Sequence, residues 1–186
     1  VHRFKPEKSI MRNVFVLLLL AAMAWPAAAT DAAAIDRRAQ ETLGRLYATK
    51  PGVRSIVQNA AGVLVYPRVY KAGIGLGGDY GEGVLLEHGR NAGYYNLVSG
   101  SIGFQLGAQM RSQVFVFTDK AALVKFKATD GWKVGVDGSA VIAEFGAGGT
   151  IDSNTANKPV IVFVLGEKGL MYNINLEGSK ITRIKR

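Results

Sequence analysis

Residues 73–83 read Gly73-Ile74-Gly75-Leu76-Gly77-Gly78-Asp79-Tyr80-Gly81-Glu82-Gly83, and no other stretch restricts the fold as tightly. As a strand, this run puts Ile74, Leu76 and Tyr80 on one parity and nearly bare backbone on the other. Glycine loses much conformational entropy in a strand, so such a run implies tight curvature, bulges or another element lying directly on the backbone. The same letters satisfy G-x-G-x-x-G through Gly73, Gly75 and Gly78. A dinucleotide site would need a helix starting at the third glycine and an acidic residue about 20 positions later. Tyr80-Gly81-Glu82-Gly83 is poor helix, and Tyr94 to Ser101 holds no acid, so the glycines are read as structural.

A chain of 186 residues, 48% hydrophobic, suits one domain with a real core. The absence of cysteine excludes disulfides, thiolate chemistry, cysteine zinc sites and a lipid-modified cysteine. A formal charge of +9 points to anionic partners without choosing among nucleic acid, membrane and acidic protein. Residues 1–29 read as a cleaved export signal. Arg12 precedes the apolar run Val14–Trp25, Pro26 breaks it, and Ala27-Ala28-Ala29 supplies small residues before Thr30, with Met11 as an alternative start. The run is shorter than the roughly 20 residues of a spanning helix. Cleavage removes Arg3, Lys5, Lys8 and Arg12 against Glu7, leaving 19 basic and 13 acidic residues, net +6, in a single domain over 30–186. The expected location is periplasmic or secreted, with peripheral membrane association.

From Asp31 to about Ala48, Ile35, Ala39, Leu43, Leu46 and Tyr47 recur at helical spacing, with Arg37, Arg38, Glu41 and Arg45 on the other side. After Pro51-Gly52 a shorter helix carries Val53, Ile56, Val57 and Ala60 on one face. Both helices are expected to cap a sheet, the cationic flank of the first also suiting a membrane surface. Past Gly62 the texture turns to strands and glycine turns: Val63–Tyr66 ending at Pro67, the glycine run to Tyr80, Val84–Leu86 and a turn at Gly89-Arg90-Asn91. Tyr94–Leu97 leads into an alternating Ser101–Met110, where Gly103, Leu106 and Gly107 echo Gly73, Leu76 and Gly77. Val114–Phe117 and Val160–Leu165 are apolar on both faces, as central strands are, and Thr118-Asp119 caps a short helix over 120–128. Trp132–Ala143 alternates loosely, 146–157 is a loop, Leu170–Leu176 alternates after a tight turn, and 180–186 reads as a basic tail. The pattern predicts an α+β fold: a strongly curved or barrel-like antiparallel β-sheet with two N-terminal helices and one short helix packed on it. An outer-membrane barrel is disfavoured by the two fully apolar strands and the charged terminus.

The inventory for catalysis is thin. His88, the one histidine after residue 29, stands beside Glu87 in a hairpin turn, where it is expected to be solvated. No G-x-S-x-G elbow occurs, and Asp79, Glu82, Asp130, Asp137, Glu144 and Asp152 stand singly. No nucleic-acid module is present, so neither an enzyme nor a nucleic-acid binder is expected. No cofactor or metal is implied.

In order along the chain, Ala61-Gly62-Val63-Leu64-Val65-Tyr66-Pro67, Gly73 through Leu86, Gly93-Tyr94-Tyr95 and Gly103-Phe104-Gln105-Leu106-Gly107-Ala108-Gln109 form one set of blocks. Asp137-Gly138-Ser139-Ala140, Lys168-Gly169-Leu170 and Leu176-Glu177-Gly178-Ser179-Lys180-Ile181 continue it. Across roughly Ala39 to Thr182 the chain thereby resembles the SYLF, or Ysc84-like, domain. The resemblance implies a non-enzymatic lipid-binding module. Eukaryotic relatives bind phosphoinositides through basic residues and an amphipathic N-terminal segment, and some bundle actin; bacterial relatives are exported. Behind a bacterial-type signal, neither actin nor phosphoinositide is the expected partner.

The function expected is peripheral binding to anionic phospholipid through basic residues and the first helix. Arg37, Arg38, Arg45 and Arg54 are the leading candidates, then Lys180, Arg183, Lys185 and Arg186, then Arg68 and Lys71. The alternatives are a protein-interaction or scaffolding domain of the cell envelope, and a carrier of small apolar ligands.

Overall fold

The structure is a computed structural model and describes residues 31–103, 109–145, 151–172 and 174–186. The expected export signal, the strand repeat around 104–108 and the loop at 146–150 lie outside the described residues. Helix α1 (Ala32–Thr49) starts where expected, with the Asp31 carboxylate accepting from the Ala33 amide at 3.3 Å. Its buried stripe is Ile35, Ala39, Thr42, Leu43 and Leu46, and α2 (Val53–Asn59) adds Val53 and Val57.

The glycine stretch belongs to one continuous strand, β1 (Gly62–Glu87), 26 residues long. The sequence reading ended a strand at Pro67; the structure carries the strand through it. A register shift between Tyr66 and Val69 accommodates Pro67, whose missing N–H costs no ladder bond in a bulge. The Pro67 carbonyl instead accepts from Ser112 Oγ at 2.7 Å.

β1 turns at His88-Gly89 into β2 (Arg90–Gly103). Then follow β3 (Gln109–Phe117), α3 (Lys120–Ala128), β4 (Trp132–Lys133) and β5 (Val141–Ile142). The one-turn α4 (Ser153–Ala156), β6 (Val160–Gly166), β7 (Gly169–Met171) and β8 (Lys180–Ile184) complete the order. One eight-stranded sheet runs β4-β8-β2-β1-β3-β6-β5, with β7 also pairing β6. All pairs are antiparallel except β5 with β6, which makes the sheet mixed. The supposed basic tail is strand β8, held in the sheet by Ile181, 1% exposed on the inner face.

β1 curls the sheet. Its first half pairs β3 and its second half pairs β2, and the two halves pack against each other across Gly81 and Gly83. A Cβ on Gly81 would lie 2.8 Å from the Arg68 carbonyl oxygen, and one on Gly83 would lie 2.9 Å from the Val65 carbonyl carbon. The element lying on the bare backbone is therefore the strand's own opening half.

The curl creates two cores. Inside it, Leu64, Tyr66, Leu85, Leu97, Phe115 and Trp132 pack together. Phe126 of α3 joins them, with ring centres 4.9 Å from Phe117 and 5.5 Å from Trp132. Outside it, α1 and α2 cover Val63, Val65, Val84, Val114, Ile161 and Phe163. β3 and β6 face both cores, which is why their sequences are apolar on both parities.

Candidate functional site

The helices cover only part of the outer sheet face. On the uncovered part Met110 stands opposite Tyr70, and Lys180, Val98 and Tyr80 line up across β8, β2 and β1. Tyr70, Tyr80, Val98 and Met110 are 50%, 44%, 47% and 48% exposed, so four large apolar side chains share one open surface. Tyr70 and Tyr80 line a cleft with Arg38 of α1 and Arg68 of β1, floored by Ile35 and Pro67. Tyr80 donates through its hydroxyl to Glu82 Oε1 at 2.6 Å, and Arg186 forms an ion pair with the same carboxylate. Glu82 is thus neutralised within the sheet surface, and the cations of Arg38 and Arg68 set the local charge.

The sequence candidates separate in space. Arg38 and Arg68 meet at the cleft, and Lys180 lies two strands from Tyr80, about 10 Å at the usual strand spacing. Arg186 reaches the face only to pair with Glu82. Lys71 is half-buried at the end of the β1–β3 ladder, opposite Gln109, and Lys185 is exposed past β8. The other four serve elsewhere. Arg37 is exposed near Asn91, and Arg45 Nη2 donates to the Gly166 carbonyl at 3.1 Å. Arg54 stacks over Tyr47 at 4.6 Å, and Arg183 donates to the Ala92 carbonyl at 3.4 Å.

The apolar stripe of α1 is not open to a membrane. Ile35, Leu43 and Leu46 are at most 6% exposed, and each contributes on the order of 2 kcal/mol by burial, so lifting the helix would cost several times that. The exposed apolar surface comes instead from the tyrosines, which sequence reasoning did not select. Their signal was the even parity of Tyr70 and Tyr80 in a strand whose opposite parity is nearly bare.

Tyr80 carries a pH signature. Tyr80 is pushed up to about 12, first by burial and then by the hydrogen bond and charge of Glu82, with Arg186 opposing. Burial is also the leading cause of the raised values of Tyr47, Tyr66, Tyr94 and Tyr95. A phenol that holds its proton more tightly when folded contributes stability fully present below the unfolded value of 10.0. That stability is lost as pH climbs from 10.0 towards 12. Base-induced unfolding is expected in that window, with the near-ultraviolet phenolate signal of the native protein lagging that of the urea-unfolded chain. Coincident titration curves would show the shifts to be absent.

Inside the curl, Arg111 of β3 donates through Nη2 to Asp79 Oδ2 of β1 at 2.5 Å, and Ser99 Oγ donates to the same oxygen at 3.1 Å. Both charged side chains are nearly sealed, at 6% and 8% exposure. Asp79 Oδ1, Arg111 Nε and both amide atoms of Gln113 have no hydrogen-bond partner among the described residues. This polar knot joins β1, β2 and β3 across the inner core. Among the described residues no group of three or more His, Asp or Glu side chains is arranged to hold a metal ion, and no helix is long and apolar enough to cross a membrane. His88 is exposed in its turn.

Residues 98–186 match the family model Ysc84, described as "Las17-binding protein actin regulator". The blocks at Asp137–Ala140, Lys168–Leu170 and Leu176–Ile181 fall within that match, whereas those from Ala61 to Tyr95 precede it. The chain is also 28% identical over 149 residues to Beta cell expansion factor A of Aeromonas veronii. That alignment covers 79% of this chain and 55% of the relative, so the chain spans about half of the relative's length. Residues 98–186 are thus similar to the Ysc84, or SYLF-domain, family.

Proposed function

We propose that this domain is a non-enzymatic module that binds anionic phospholipid surfaces peripherally through the uncovered part of its outer sheet face. The observation that carries the reading is the meeting of Tyr70 and Tyr80, both about half exposed, with Arg38 and Arg68 at one cleft. Tyrosine places an apolar body and a polar tip at a lipid interface. Each cation near an anionic surface adds about 1 kcal/mol, and Lys180 beside Val98 extends the charged flank. The net charge of +6 that remains after cleavage supports the same sign of partner. The proposal includes export, resting on the apolar run Val14–Trp25 and the small residues after it.

Vesicle co-sedimentation tests it, with phosphatidylcholine alone and with rising phosphatidylglycerol, at low and high salt. The protein is expected to sediment with anionic vesicles and to be released by salt. Arg38→Glu/Arg68→Glu should weaken binding more than tenfold, since losing two cations alone removes about 2 kcal/mol. Arg37→Glu/Arg45→Glu/Arg54→Glu, away from the cleft, should lose only the screened long-range attraction. The opposite ranking would move the site to the helices. A wild type that stays in the supernatant with every vesicle would end the lipid reading and turn attention to a protein partner, the class named in the family description.

A further inference from the structure

Between α1, α2 and the β1–β2 hairpin runs an open trough separate from the tyrosine face. Its wider part, about 430 Å³, is floored by Leu43, Val57, Val63 and Leu86, with Gln40, Gln58 and His88 on the rim. A second part of about 280 Å³ shares Gln40, Leu86 and Gly89 with it and continues along α1 to Asp36, Arg37 and Asn91. The volume falls in the range of small-molecule sites, whose usual make-up is an apolar lining with a few polar groups.

Two observations mark this trough as more than a surface irregularity. The four floor residues keep 5–8% of their surface open, while Leu46, Val65 and Val84 of the same core are fully sealed. At its rim, His88 holds φ 51 beside Gly89 at φ 75. That two-residue turn favours Asn or Gly at its first position, and a bulkier residue there stores backbone strain of the kind found at ligand clamps. The narrow end carries one carboxylate and one guanidinium. Asp36 accepts from Asn91 Nδ2 and from the Tyr94 hydroxyl, each at 3.0 Å, whereas Arg37 is exposed and forms no ion pair among the described residues.

We propose that the trough binds a single-chain amphiphile with an anionic end, its hydrocarbon over Leu43, Val57 and Leu86 and its charged group at Arg37. A hydrocarbon matches the apolar lining of the trough, and an anion complements the guanidinium where the trough ends. This inference does not rest on vesicle binding, because its ligand is a dissolved monomer.

Calorimetric titration of the full chain with oleate, and separately with oleoyl lysophosphatidylglycerol, both below their micelle concentrations, tests it. The two probes distinguish a free fatty acid from a lysophospholipid as the source of the same chemistry. Saturable one-to-one binding of at least one probe is expected. Ala60 also lines the wider part, and Ala60→Phe, which fills it, should lower the affinity at least tenfold, and Arg37→Gln several-fold. Arg38→Glu/Arg68→Glu should bind the probe as wild type does, and Ala60→Phe should still sediment with anionic vesicles, so the two readings fail separately. If Ala60→Phe lowers the thermal midpoint, the exposed Arg37→Gln decides alone. No saturable binding of either probe, or unchanged affinity in Arg37→Gln, overturns the proposal.

Discussion

Gly83→Ala is expected to lose about 3 kcal/mol of folding stability, at the upper end of what overpacking costs. The added methyl would sit 2.7 Å from Tyr66 Cδ1 and 2.9 Å from the Val65 carbonyl carbon. The first is a ring wedged in the inner core and the second is backbone in the middle of a paired strand, so neither can retreat without opening the contact between the halves of β1. Against a typical total of 5–15 kcal/mol, such a loss leaves a marginal protein. Gly44→Ala is the internal control. Gly44 is exposed on α1 with nothing within 4 Å of an added Cβ, so the same change there should gain about 1 kcal/mol from helix propensity. Urea denaturation of both variants reads the contrast directly. A Gly83→Ala protein as stable as wild type would mean that the two halves of β1 do not meet.

Asp79→Leu should cost about 3–5 kcal/mol, because it strands the Arg111 guanidinium at 6% exposure with only polar fragments of a broken knot around it. Arg111→Met should cost a similar amount from the other side, leaving the Asp79 carboxylate to Ser99 alone. Asp79→Leu/Arg111→Met should recover most of either loss. Removing both charges also removes two of the buried atoms, Asp79 Oδ1 and Arg111 Nε, that have no partner among the described residues. The double-mutant cycle in urea gives the coupling, which should vary little with salt because the pair is buried. Single variants that lose under 1 kcal/mol would show that water reaches the pair.

Elements whose signals are local were legible. The stripe from Ile35 to Leu46, the Asp119 cap of α3 and the doubly apolar Val114–Phe117 and Val160–Leu165 all appear in the structure as the spacing predicts. Pro67 misled, because a proline ends a strand only if its N–H is needed, and the bulge between Tyr66 and Val69 removes that need. The segment after Ser179 read as a tail because its charges hid Ile181, the residue that fastens β8 inside the curl.

The candidate site was half legible. Its cations were chosen from sequence, but ten basic residues scattered over the chain gave no way to tell Arg38 and Arg68 from Arg45 and Arg54. Their grouping depends on where α1 crosses the sheet, which a linear pattern does not encode. Sequence alone determined the curved α+β sheet and limited the bare glycine backbone to tight curvature, bulges or a directly packed element, because side-chain parity and the missing Cβ act within a few residues. Only the tertiary structure decided that the approaching chain is β1 itself, that Asp79 meets Arg111 32 positions away, and that Tyr70 and Tyr80 share a cleft with Arg38. Those juxtapositions depend on strand register and on the path of a bend, and both are settled by the packing of the whole sheet.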